Sequence, residues 1–590
     1  MARSALTLKA LGARILRPFR AWRNRLRARR AGLGGHPEPA ETLPEAGFHG
    51  DADRGHILVA GGWPALGLSL RVAPGAIWDV VLPTGPAARR LEDERQACLW
   101  LDDLAAIGSR PARVLAQGWV QDWIRHFGAG QGPGWTPELA GRRAWGWAAH
   151  ARLLTQGLDR TATDRFWRSL AGHQRYLALS WPDAPPGLPQ IRALAGLVWI
   201  GRVLPHASQP EAVADLGALA GSLIDAEGDL TSRAPGELAE IVILLIWTAR
   251  MLEDAGQPAA PAHLAAIARA VPVLRALRLG DGTMTRFHGG GPGLPERLDQ
   301  ALAELRMGVQ AKPRLAMGYA RLTGGRLVLL LDGAAPPSGA AALSAHAASL
   351  AFELSVGRQP LVVNSGPGRE FGRDWAHLCR QTAAQSTVEV DGRSSARIEA
   401  RDLAARTFGE RLEDGPTLVS VRQAQDATGM WLLATHDGYV SSHGLRHERR
   451  VFVDSRGREA RGEEILSVTD ARAQALFDRL AASRDVVVAA RFHLHPAIAV
   501  ELDPYGDGAT ITLPSGEVWA FRAAGGTLDI EDSVYFDPGR ASEVPTKQMV
   551  VRAGVVEYLG QITWSFGRVA EAPPQTALLE PPSYADEDRP

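Results

Sequence analysis

Histidine and tyrosine are the side chains through which this sequence can move protons, and they gather in a few short stretches. His346 precedes Phe352-Glu353-Leu354-Ser355 and shares the parity of Leu350 and Phe352, so a strand there turns it toward the buried face. His436, Tyr439, His443 and His447 bend around Asp437-Gly438, a dipeptide that reads as a hairpin turn and could bring them to one sheet edge. His and Tyr in such groups suit general acid–base work. His493 and His495 share a strand face, but paired histidines suit a metal only with further ligands, and a surface pair is the simpler reading. His173 and Tyr176 share a helix face, where packing explains them. His288, in Phe287-His288-Gly289-Gly290-Gly291, lies on a loop suited to gripping a substrate.

Other chemistries lack their residues. There is no phosphate-binding glycine loop followed by Lys-Ser/Thr, no G-x-S-x-G elbow and no CxxC pair. Gly289 to Gly293 lack the strand–helix setting of a dinucleotide fingerprint. Asp225, Glu227 and Asp229 could serve a hydrolase that pairs carboxylates at a set separation.

The order His346, F-E-L-S, Leu361-Val-Val-Asn364-Ser-Gly366 and Ser386-Thr-Val388 resembles the heparinase II/III family of polysaccharide lyases, in its alphaproteobacterial form. His436-Asp-Gly-Tyr439 and His447-Glu-Arg-Arg450 are similar to it too, and the likeness spans residues 50 to 570. It implies an N-terminal (α/α) toroid, a C-terminal antiparallel β-sandwich and a glycan between them. It implies β-elimination, in which a uronic acid loses its C5 proton once its carboxylate is neutralised, and an acid protonates the departing C4 oxygen. On that reading His346 is the base, with Tyr439 and His436 as its catalytic partners. Arg233, His288, Arg449 and Tyr176 hold an acidic polysaccharide.

The sequence also departs from the family. Its only asparagines are Asn24 and Asn364, so the helical-domain Asn that many members use is missing, and Glu237 stands about where a Tyr would follow Arg233. Asn364 and Gln385 occupy positions where metal-bearing members have Asp and His, and neutral amides are poor ligands, so no zinc and no other cofactor is expected. Those losses motivate the alternative of a glycan-binding or scaffold protein without catalysis.

The elements that must position these residues change character along the 590-residue chain. Lys and Arg balance Asp and Glu at 65 each, which gives no argument for a nucleic-acid partner. Arg from position 14 to position 30, with Leu11, Phe19, Trp22 and Leu26 at helical spacing, reads equally as a helix on an anionic membrane face and as a solvated arm. No apolar run has the length of a signal peptide or a membrane span, which points to the cytoplasm or the inner-membrane surface, with the cell envelope as the alternative. Oligomeric state is not legible.

Residues 1–45 form the basic arm and linker. Residues 46–315 form the helical domain, with a short strand at Ile57 to Trp63 and helix starts at Thr136 and at Thr161 to Asp164. Residues 316–570 form strands with turns at Asp391-Gly392, Asp437-Gly438, Ser455 to Gly457 and Pro514 to Gly516, and 571–590 a frayed tail. Cys98 and Cys379 fall in different domains, which argues against a disulfide framework.

Overall fold

Apolar residues at helical spacing and alternating β-formers divide the chain near residue 315, and the computed structural model follows that division. The structure describes residues 2–33, 35, 37–72, 77–205, 209–305 and 315–570. The expected tail therefore lies outside the described residues.

Up to Ala303 the chain is an (α/α) toroid. Helices Pro137–Ala149, Leu188–Val203 and Pro235–Asp254 lie side by side on a core of Trp123, Trp147 and Trp199. Proline stands at the first position of several helices, where its missing N–H costs nothing. Gly141 and Gly196 let the first two of these helices touch, since a Cβ on Gly196 would run into the Gly141 backbone. Thr136 caps its helix as expected, accepting from Leu139 N at 3.3 Å.

Two local readings change, and the N-terminal arm takes the helical form that one of its two readings gave. Asp159, not Thr161, caps helix Arg160–Ser180, because its carboxylate reaches Ala162 N at 2.8 Å. Ile57 to Val59 end a helix, Ala52–Val59, started by the Asp51 cap, and the strand begins only at Gly62. The N-terminal arm is a helix, Ala2–Ala31, whose end docks on the toroid. There Arg175 donates to the Ala31 carbonyl, Asn24 donates to Trp135 O at 2.7 Å, and Arg23 pairs with Asp183 at 2.9 Å.

From Tyr319 onward two antiparallel sheets face one another. One runs, in spatial order, through Val419–Gln425, Gly429–Tyr439, Leu445–Asp454, Glu459–Val468, Leu559–Ala570, Val518–Ala524, Gly508–Thr512 and Ala499–Leu502. The other runs through Thr527–Tyr535, Val544–Gly554, Val487–Leu494, Gln359–Val363, Phe352–Val356, Leu327–Asp332 and Tyr319–Gly324, with Val388–Val390 also on Val487–Leu494. Phe352, Phe492, Phe521, Trp564 and Phe566 fill the space between them.

Asp437-Gly438 is not the turn. The strand continues through it with a register shift, and Val440–His443 and Gly444 make the connection. The expected strand from Ser349 starts at Phe352, after a left-handed Leu350 (φ 59°), and both of its faces are buried. Phe352, Leu354 and Val356 enter the sandwich core, while Glu353 and Ser355 face the helical domain.

Candidate functional site

His346 lies in the loop before that strand, at the seam between the domains. Beside it Asp332, at the end of strand Leu327–Asp332, is held between Arg233 and His288. Arg233 contacts Asp332 Oδ1 through Nη2, and donates to Met317 O at 2.8 Å and Ala335 O at 2.9 Å. Its guanidinium lies over the Tyr319 ring at 4.7 Å. His288 Nε2 is 3.1 Å from Asp332 Oδ2, and its Nδ1 accepts the His346 backbone N–H at 3.1 Å. Neutral His288 therefore carries its proton on Nε2.

Burial pushes the pKa of His346 well below the usual histidine value, with His288 and Arg380 adding to the effect. Burial lowers His288 too, against the pull of Asp332. Asp332 is depressed: burial opposes ionisation, but Arg233 and His288 outweigh it. The pocket thus holds one ion pair and two neutral imidazoles, a base without its proton. Arg233, His288, Met317 and Leu350 all have left-handed backbones, with φ between 49° and 59°. Non-glycine residues adopt that region seldom, and its concentration at one seam marks a site held in place by its surroundings.

His436, Tyr439 and Arg449 belong to a second cluster inside the sandwich. His436 accepts Gly438 N–H at Nδ1 (3.0 Å) and gives its Nε2 proton to His447 Nδ1 (3.1 Å); His447 Nε2 donates to Glu464 at 2.8 Å. Arg449 donates to both Glu464 oxygens, at 2.8 and 2.9 Å, and across the core to the carbonyls of Leu350 and Ser386. Burial would raise the Glu464 pKa, yet Arg449 and His447 bring it down to about 2. Tyr439 is fully buried, its hydroxyl donates to Val388 O at 2.7 Å, and burial raises its pKa far above the ordinary phenol value.

These groups do not stand on an open sheet edge, because the residues expected to flank a turn continue a strand whose inner face is core. Tyr176 is likewise enclosed. Its hydroxyl lies 2.7 Å from Asn24 Oδ1 and 2.9 Å from Trp135 O, so it anchors the N-terminal helix. His493 is not a surface histidine: it is buried and binds Ser533 Oγ and Ala383 O.

Asn364 and Gln385 spend their amides internally. Asn364 donates to Glu353 and accepts from Ser386 N, and Gln385 donates to Cys379 O at 2.7 Å while lying 3.4 Å from His346 Nδ1. These positions do not fit a metal ion, and among the described residues no three His, Cys, Asp or Glu side chains gather to hold one.

Two further arginines are partly buried in ion pairs. Arg192 contacts Glu138 and donates to Glu240 at 2.8 Å, and Arg90 pairs with Glu370 of the sandwich at 3.4 Å.

A family model, Heparinase II/III-like, C-terminal, matches residues 307–565. FtsZ-localized protein C of Caulobacter vibrioides is 31% identical over 540 residues, which is 90% of either chain. The chain belongs to the heparinase II/III family. The fold agrees. A crystal structure of heparinase III superposes with a TM-score of 0.64 at 12% identity, covering 90% of this chain and 85% of that one. Heparan sulfate lyase HepC from Pedobacter heparinus, in mutant form, gives 0.53 at 13% identity, covering 92% and 88%.

Within the family fold, sequence reasoning found His346, His288 and Arg233, which the structure brings together. It missed Asp332, which joins Arg233 to His288, and the seam pair Arg286–Glu353. Glu353 was visible in F-E-L-S as the polar member of an alternation. Nothing in the sequence said that its face would be covered by another domain.

Proposed function

We propose that this chain is a binding scaffold on the lyase fold, that it shares the FtsZ-dependent localisation in the name of its relative FtsZ-localized protein C, and that it does not carry out β-elimination at the residues the family likeness points to. The observation that carries this reading is the state of the carboxylate clamps. Arg233 is already neutralised by Asp332 and Arg449 by Glu464, with both guanidinium groups buried. A uronate would have to displace a protein carboxylate to be activated. The base and acid are equally enclosed, His346 being 3% and Tyr439 0% exposed.

The N-terminal helix supports attachment to an anionic membrane face. Leu11, Phe19 and Trp22 are 49%, 53% and 56% exposed, on a helix rich in arginine. At 100° per residue they fall within about 80° of one another. Co-sedimentation with anionic but not neutral vesicles, lost in the Phe19→Glu/Trp22→Glu double variant, is the expected outcome.

An acidic polysaccharide remains the ligand class that fits the fold. A second reading, an eliminase that works after the seam opens, rests on the neutral His346–His288 pair. One assay separates the two. The wild type is incubated with a panel of polyuronides, and unsaturated uronate is read by ultraviolet absorbance. The scaffold reading expects none; product that disappears in His346→Ala overturns it. Co-sedimentation with FtsZ polymers tests the association.

A further inference from the structure

The last turns of the toroid and the first strands of the sandwich border an open surface depression with a volume of about 410 Å³. Its charged lining is Arg275, Arg278, Asp281, Asp299, Arg321 and Arg358. Four guanidinium groups face two carboxylates, an excess of two positive charges in one concavity.

The local structure distributes those charges unevenly. Arg278 pairs with Asp299 at 2.8 Å and donates to Gly282 O at 3.1 Å. Asp281 is turned to Thr283, accepting its N–H at 2.9 Å and its hydroxyl at 2.7 Å. Arg321 reaches across from strand Tyr319–Gly324 to the carbonyls of Ala276 and Arg278, at 3.0 and 2.6 Å, at the end of helix Pro261–Leu277. It has no carboxylate partner among the described residues, and burial lowers its pKa. Arg275 and Arg358 are exposed and carry no ion pair among the described residues.

One side of the depression is a close contact between the domains. Gly280 N donates to Ser355 Oγ at 3.1 Å, and a Cβ at Gly280 would run into the Gly357 carbonyl, so the toroid's last turn sits directly on the hairpin that carries Arg358.

We propose that this open, arginine-lined depression is an oxyanion site that takes a phosphate or sulfate group, free or esterified to a sugar-sized body. Arg275 and Arg358 would supply the unspent charge from one domain each, and Arg321 a half-buried charge that also lines the depression. Guanidinium groups bind tetrahedral oxyanions through charge-assisted, often bidentate hydrogen bonds. The depression is open to solvent and larger than a bare ion needs, which leaves room for a sugar ring. Asp281 and Asp299 could then accept from its hydroxyls. Because the arginines come from both domains, an occupant ties the seam together. This inference is independent of the reading of the His346 site.

The test uses the full chain at constant ionic strength, titrated with inorganic phosphate, inorganic sulfate and a hexose 6-phosphate, with chloride as control. Calorimetry and the melting temperature are read together. Binding of either oxyanion over chloride, with a raised Tm, is expected. The Arg275→Gln/Arg358→Gln variant, which breaks no ion pair, should keep the wild-type Tm without ligand and bind at least about tenfold more weakly. Tighter binding of the hexose ester identifies an esterified ligand and equal binding a free ion; both uphold the site. Affinity unchanged in the variant, or no binding beyond the chloride control, overturns it.

Discussion

Arg286 and Glu353 meet across the seam between toroid and sandwich, both buried, with Arg286 N donating to Glu353 Oε1 at 3.2 Å and the guanidinium 3.5 Å from Oε2. Asn364 N donates to the same Oε1 at 3.0 Å. One carboxylate thus ties a helical-domain loop, its own strand and the next strand together. Truncation leaves the buried Arg286 without its carboxylate partner, so Glu353→Ala is expected to destabilise the protein by about 3–5 kcal/mol. Glu353→Gln keeps an acceptor for both N–H groups and should lose clearly less. Urea denaturation of the two variants checks this; equal losses would contradict it.

Arg233→Ala leaves the buried Asp332 with His288 but without its permanent cation and should cost about 3–5 kcal/mol. Arg233→Lys is expected to recover little, because an ammonium cannot reach Asp332 and the carbonyls of Met317 and Ala335 together. Denaturation midpoints of the two variants decide it.

Stability should fall with acid as buried histidines resist protonation. His288, His346, His436 and His447 are all depressed, chiefly by burial, and stay neutral in the fold. Below about pH 6.5 the unfolded chain takes up protons that the folded chain refuses, so stability drops by up to about 1.4 kcal/mol per pH unit for each histidine. Glu464, at about 2 in the fold, contributes stability that is fully present above its unfolded value and lost as the pH falls from there through about 2. Unfolding free energies from about pH 7 to about pH 5.5 should show the slope; a flat profile would refute it.

Gly196→Ala places a Cβ against the Gly141 backbone and should destabilise by about 1–3 kcal/mol. Gly118→Ala meets nothing within 4 Å in helix Arg110–Phe127 and should stabilise by up to about 1 kcal/mol. Opposite shifts in melting temperature are the expected result.

Asn24→Ala removes the amide that joins Trp135 O and the Tyr176 hydroxyl. Limited proteolysis should then cut the N-terminal helix after its arginines sooner, with the main thermal transition nearly unmoved. An unchanged cleavage rate would mean that docking rests on the buried Ala28 and Ala31 instead.

The division into toroid and sandwich was legible because each half repeats its own period, and periodicity is a local property of the chain. Caps and turns were read well where one side chain decides them, as at Thr136 and Ser455 to Gly457, and badly where two candidates compete. Asp159 displaced Thr161 because its carboxylate reached the helix's free N–H groups first. At Asp437-Gly438 the pairing of Gly429–Tyr439 with Leu445–Asp454 carried the strand past a sequence that favours a turn.

The residue types needed for proton transfer, and the absence of the family's Asn and metal ligands, were determined by the sequence by itself. So was the two-domain architecture that its likeness to the family implied. Only the tertiary structure decided that Arg233 and Arg449 are already paired, that Tyr439 gives its hydroxyl to a backbone carbonyl, and that Glu353 faces another domain. Burial and pairing depend on segments a hundred residues away, as Arg233 and Asp332 are, and the free energy that fixes a charge comes from those distant neighbours rather than from local spacing.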